Sequence, residues 1–209
     1  MESENHKIIK NFISLQERKE IIDWVKSIQF TQSIDNHHIK EVRKSLNGNS
    51  YMFDISKTKE TKYICNFQSS GNVIDYNPPK FIIDLSHRIS KTLKIPHKNV
   101  FLQTIDTNRG GKVSPHYDSS LNGFINYKCN ISVLSENSDF FVGSEIMNID
   151  EGDLYCFEAS LYKHWSNSFD FDRIILSFGF ILPYSVCNRD ENDPRVRLSR
   201  RIAKYFQNL

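Results

Sequence analysis

The segment "SPHYDSS", residues 114–120, sets a histidine and an aspartate two positions apart. In extended backbone, residues i and i+2 leave the same face. An imidazole nitrogen of His116 and a carboxylate oxygen of Asp118 can therefore reach one point. His164 stands far downstream in "LYKHWSN", just after the strand-like "DLYCF". A sandwich or barrel brings such a residue opposite the first pair. Two histidines and one carboxylate suit a non-haem Fe(II) centre of the facial-triad kind, which leaves positions free for a co-substrate and O2. Taken alone, H-x-D is a weak signal, because it recurs by chance in many chains. Arg173 strengthens it by opening the apolar run "RIILSFGFIL". A guanidinium keeps its charge, and its planar fork matches a carboxylate in two bonds. The alternative is an arginine at a strand end, facing water. Ser177, four positions on, shares the face of Arg173 and adds a hydroxyl.

The elements that must position these residues are legible as patterns. Ser14 followed by Glu17 is a capping-box signature, and Leu15, Ile21, Ile22, Val25 and Ile28 recur at helical spacing. The pattern predicts a helix over about 14–28. A second helix follows Pro78-Pro79, with Ile82, Leu85, Ile89 and Leu93 on one face. Between them lies a polar, mixed stretch with short strand-like pieces, "YMFDI" and "KYICNF". After Pro96 the texture changes to short runs rich in Ile, Val, Phe and Tyr: "NVFLQTIDT", "NISVL", "DFFVG", "SEIMNI", "DLYCF", "KHWSN" and "RIILSFGFIL". Many short strands punctuated by Gly, Asn and Asp read as a β-sandwich or barrel. Asp193-Pro194 then opens a basic amphipathic helix over about 193–207. The expected fold is mainly β with flanking helices.

The 209 residues suit one domain. Its expected parts are a helical and mixed support over about 1–97, a β core over about 98–185, and the C-terminal helix. The formal net charge of +2 creates no strong field for nucleic acid or membranes. No apolar run approaches the roughly 20 residues that a membrane-spanning helix needs, and the start lacks a secretory pattern. Cys65, Cys129, Cys156 and Cys187 form no C-x-x-C pair, so they read as reduced thiols in a cytoplasmic protein. There is no G-x-S-x-G elbow to suggest a hydrolase. Of the remaining histidines, His6 near the chain start, the adjacent His37 and His38, His87 and His97 read as structural or solvent-facing.

Four pieces in order resemble the Fe(II)- and 2-oxoglutarate-dependent dioxygenases, within them the prolyl-hydroxylase-like group. "GGKVSPHYD" resembles the glycine-containing lead into H-x-D. "DFFVGSEIMNI" resembles a Gly-Gly-Glu-Leu strand, with Ser144 replacing one glycine. "EGDLYCFEASLYKHWSN" resembles the Gly-Asp-Leu turn, strand and distal histidine, and "RIILSFGF" the closing strand. The resemblance covers about 98–183. It implies a double-stranded β-helix (jelly-roll) core, with His116, Asp118 and His164 holding Fe(II) and Arg173 pairing with the distal carboxylate of 2-oxoglutarate. It also implies an O2-consuming hydroxylation that releases succinate and CO2. The carboxylate at Asp118 favours hydroxylation over halogenation, whose enzymes carry a small residue there.

Two departures from the pattern stand out. Thr107 occupies the position, nine before His116, where many members have a tyrosine that touches 2-oxoglutarate; Asn130 is the candidate replacement. The basic residue is arginine, where collagen-type prolyl hydroxylases often use lysine. The expected substrate is an amino-acid-like group, free or in a peptide. Nucleic-acid demethylases of the alkylation-repair kind are the alternative; they usually add a second arginine where this chain has Gly179. A further alternative is an inactive jelly roll acting as a binding module. Neither substrate-contacting residues nor oligomeric state is legible.

Overall fold

The computed structural model of the chain describes residues 6–28, 48–54, 78–136, 139–198 and 200. Two antiparallel sheets form its body. The larger has six strands, ordered β1 (His6–Ile9), β8 (Leu154–Glu158), β5 (Phe124–Leu134), β10 (Arg173–Pro183), β3 (Val100–Thr107) and β2 (Gly48–Asp54). The smaller runs β4 (Val113–His116), β9 (His164–Ser166), β6 (Phe140–Val142) and β7 (Glu145–Met147). This is the expected jelly roll with flanking helices.

Both helices form for the reasons their sequences give. In α1 (Leu15–Ser27), Ser14 accepts from the Glu17 backbone N–H, and the Glu17 carboxylate accepts from the Ser14 N–H. The capping box thus satisfies donors that a helix start leaves without partners. α2 (Lys80–Leu93) begins directly after Pro79 and ends at Lys94, which adopts left-handed backbone. Ile21, Trp24 and Val25 of α1 and Ile82, Leu85 and Ile89 of α2 pack on one face of the large sheet. That face presents Ile174, Leu176, Phe178, Phe180 and Leu182 of β10. A second apolar cluster fills the space between the sheets, with Phe140, Val142, Tyr155 and Phe157 at its centre.

The motifs that carried the resemblance have structural causes. Gly143 (φ +63°) takes the first position of the two-residue turn between Val142 and Glu145. Hairpins of that kind need glycine only there, so Ser144 is tolerated. In the Gly-Asp-Leu turn, Gly152 has φ +88°, and a Cβ there would sit 3.1 Å from the Ile13 carbonyl. Asp153, 1% exposed, accepts from the backbone N–H groups of Asn11 and Asp150 and from the Lys10 ammonium. The turn therefore docks the N-terminal arm onto the sheet.

His6 has a structural role, as expected: it begins β1, pairs opposite Phe157, and lies 2.8 Å from the Glu145 carboxylate. β1 and β2, from the mixed N-terminal part, add a strand at either edge of the large sheet. β5 begins six residues before the apolar run "NISVL". The strand-like "KYICNF", His37, His38 and Cys65 lie outside the described residues. At the C-terminal end, Asp193 accepts from the Arg195 N–H, and residues 194–198 and 200 are helical; the rest of that expected helix also lies outside. Cys129 and Cys156 are buried free thiols, and Cys187 is half-buried. Among the described residues, no helix is long and apolar enough to cross a membrane.

Candidate metal centre and co-substrate bed

β4 and β9 pair so that His116 stands directly opposite His164. Val113 opposes Ser166, so β4 carries one extra residue between these two rungs. Such a bulge shifts the alternation of side chains. Pro115, which has no N–H to give to a ladder, falls within it, on a strand at the sheet edge. The two imidazole rings end up 4.2 Å apart between centroids. Asp118 follows two residues later, anchored by its N–H to the Ala159 carbonyl at 3.0 Å.

The ligand atoms converge. Asp118 Oδ1 lies 3.4 Å from His116 Nε2 and 3.8 Å from His164 Nε2. One ligand atom from each of the three residues falls within 4.8 Å of the others. The opposite ring nitrogens are already engaged: His116 Nδ1 donates to the Ser114 carbonyl at 2.7 Å, and His164 Nδ1 to the Tyr162 carbonyl at 3.1 Å. A carbonyl only accepts, so each Nδ1 carries a proton, and each Nε2 is the nitrogen that points at Asp118 and can bind a metal in place of a proton. Burial pushes His164 down to about 4, against the pull of Asp118, and so keeps it neutral. Burial works to lower His116 as well, but its hydrogen bond to Asp118 and that residue's charge win and raise it. Burial alone would raise Asp118. The Lys128 ammonium and the two imidazoles instead hold its carboxyl well below the usual carboxylate range.

A polar bed lies on the inward face of the large sheet. Across one rung stand Tyr155, Asn130, Ser177 and Gln103, from β8, β5, β10 and β3. Asn130 is 6% exposed and Ser177 3%. Arg173, four residues along β10 from Ser177, is also 3% exposed. It is not the strand-end arginine in water. Its guanidinium donates to the Tyr155 hydroxyl at 3.3 Å and lies over the Phe169 and Phe140 rings. No carboxylate pairs with it among the described residues, and its Nε has no partner. The Asn130 Oδ1 and Ser132 Oγ are likewise buried without partners. A buried cation without a counter-ion is costly. The arrangement fits an anionic ligand that enters from outside the chain.

Two residues of this site went unread in the sequence. Tyr155 is buried on the inward face, bonded to both Arg173 and Asn130. Thr107, 2% exposed, pairs opposite Arg173 on β3. Lys128, on β5, reaches Asp118 Oδ2 at 3.2 Å. Both follow from alternation. In "DLYCF", Leu154 and Cys156 face the helices, so Tyr155 and Phe157 face inward. In "NYKCNIS", Asn126, Lys128, Asn130 and Ser132 form a polar period of two, visible once the strand is begun early enough. Trp165, beside His164, stacks on Phe141 with 4.8 Å between centroids and belongs to the packing of the small sheet.

No family model and no curated protein matches the chain. Solved structures do. A viral collagen prolyl hydroxylase from Paramecium bursaria Chlorella virus-1, in complex with 2-oxoglutarate, superposes with a TM-score of 0.53 at 12% identity, covering 85% of this chain and 96% of the other. HygX from Streptomyces hygroscopicus, with nickel and 2-oxoglutarate bound, gives 0.55 at 8% identity, covering 86% and 83%. A prolyl hydroxylase from Trichoplax adhaerens, in complex with a hypoxia inducible factor peptide fragment, gives 0.52 at 10% identity, covering 94% and 88%. At such identities the likeness is one of fold.

Proposed function

We propose that this chain is an Fe(II)- and 2-oxoglutarate-dependent hydroxylase acting on a C–H bond of an amino-acid-like substrate, free or within a peptide. One observation carries the reading. Two imidazoles that point their Nε2 atoms at one carboxylate converge with it, inside the same barrel that buries an arginine with no carboxylate partner among the described residues. His116, Asp118 and His164 would hold the metal. Arg173 would take the distal carboxylate of 2-oxoglutarate, with Tyr155, Asn130 and Ser177 completing the bed. Fe(II) and 2-oxoglutarate, if bound there, would supply the O2 chemistry of a hydroxylation that puts one oxygen atom into the substrate and one into succinate, with release of CO2. The chain's own residues do the rest. The carbonyls of Ser114 and Tyr162 fix the ring tautomers. Phe140 and Phe169 wall the guanidinium from water, which strengthens its grip on a carboxylate. On this reading residues 1–209 act as one domain.

The solved structures whose names include prolyl hydroxylases and a peptide complex support an amino-acid-like substrate. Gly179 supports it too. A Cβ at that position would meet Asn126 Oδ1 at 3.1 Å and the Phe101 carbonyl at 3.8 Å. A side chain there, such as the second arginine of the alkylation-repair enzymes, would have to displace Asn126. Anaerobic addition of Fe(II) and 2-oxoglutarate is expected to give a weak visible metal-to-ligand band. His116→Ala and His164→Ala are each expected to abolish it, and Arg173→Leu to lose 2-oxoglutarate while keeping the metal. A band that survives both histidine variants refutes the assignment. Mass spectrometry of candidate amino acids and peptides, read for the gain of one oxygen, then identifies the substrate.

A further inference from the structure

Asp118 is held from two sides. Its Oδ1 faces the two Nε2 atoms. Its Oδ2 accepts from Lys128 Nζ at 3.2 Å and from Asn126 Nδ2 at 3.3 Å. Both donors come from β5, two residues apart on its inward face. The Lys128 side chain is only 13% exposed, so solvent competes little for the contact. A lysine ammonium is an unusual neighbour for a metal site, because its charge opposes that of the metal. A role in simply raising metal affinity is therefore a poor explanation for it.

We infer that Lys128, assisted by Asn126, is a positioning residue that keeps Asp118 a one-oxygen ligand and so preserves the free coordination positions that the reaction needs. The inference rests on the functional reading above. A carboxylate can bind a metal through one oxygen or both. With two imidazoles and one oxygen in place, half of an octahedral shell is free, enough for a two-atom chelate and O2. If the second oxygen also binds, one of those positions is lost. Charge-assisted hydrogen bonds to Oδ2 hold that oxygen away from the metal, and they need no movement when the metal arrives. The Lys128–Asp118 pair also leaves this corner of the site close to neutral.

The test is anaerobic titration of Lys128→Met with Fe(II), then with 2-oxoglutarate, followed by the visible band and by calorimetry. Methionine keeps the length and apolar stem and removes the charge and donors. Metal affinity is expected to hold or tighten, since a repelling charge is gone and a second oxygen is freed. Affinity of the Fe(II)-loaded protein for 2-oxoglutarate is expected to fall by about tenfold or more, since one position of the chelate is lost. Lys128→Arg is expected to restore most of it. An unchanged 2-oxoglutarate affinity overturns the inference, and so does loss of metal and 2-oxoglutarate together, which would make Lys128 a support of the triad itself. Wild-type protein that binds no divalent metal fails the functional reading first and this inference with it. Wild-type protein that gives the band while Lys128→Met reaches it at the same 2-oxoglutarate concentration fails this inference alone.

Discussion

The two faces of the large sheet use the same strands for opposite ends. Toward the helices, β10 turns Ile174, Leu176, Phe178, Phe180 and Leu182, and β5 turns Cys129, Ile131 and Val133. Toward the small sheet, β10 turns Arg173 and Ser177, and β5 turns Asn126, Lys128, Asn130 and Ser132. The helix side is close-packed and mostly apolar, although Thr104 Oγ1 of β3 is buried there without a partner. The inner side holds buried polar atoms without partners: Arg173 Nε, Asn130 Oδ1, Asn126 Oδ1 and Ser132 Oγ. A period of two lets one strand hold a core and a site back to back. The core face stabilises the fold, and the site face keeps polar groups that cost stability until a ligand satisfies them.

The comparison can be broken from either side. The largest effect is expected on the helix face. Phe178→Ala removes a fully buried ring from a packed cluster, so chemical denaturation should show a loss of about 3–5 kcal/mol. A loss below about 1 kcal/mol would mean that this face is not the core. The next largest is on the site face and has the opposite sign. Arg173→Leu exchanges a buried cation, without a carboxylate partner among the described residues, for an apolar side chain. Stability of the ligand-free protein is expected to rise by about 1 kcal/mol or more, while 2-oxoglutarate binding disappears. A marked destabilisation would show that Arg173 is part of the core after all.

The smallest effect sharpens the comparison within the site. Burial takes His164 from an ordinary 6.5 to about 4. Between those values the unfolded chain binds a proton that the folded chain refuses. The stability tied to neutral His164 is therefore full above pH 6.5 and lost as the pH falls toward about 4. His116 has the opposite sign. Its raised pKa adds stability that is full below 6.5 and fades as the pH rises through the raised value. Metal-free His164→Phe is thus expected to show a shallower acid loss of stability in denaturant melts across that window, and His116→Phe is not. Equal slopes for wild type and His164→Phe would remove the distinction.

Much of this was legible in the chain. The capping box at Ser14 and Glu17, the apolar period of α2 and the short strands after Pro96 depend on neighbours a few residues apart, and sequence records those directly. His116 and Asp118 were readable for the same reason, and order along the chain added His164 and Arg173. β1 was not legible, because "HKII" becomes a strand only by pairing with β8. Tyr155 and Lys128 were missed because their meaning lies across strands. Nothing near Tyr155 in sequence says that its hydroxyl faces Arg173, and nothing near Lys128 says that it holds a ligand's second oxygen. Sequence by itself determined which residue types were available and at what period. Tertiary structure decided which of them meet, since contacts between distant strands depend on register and on a bulge at Pro115, which no local pattern encodes.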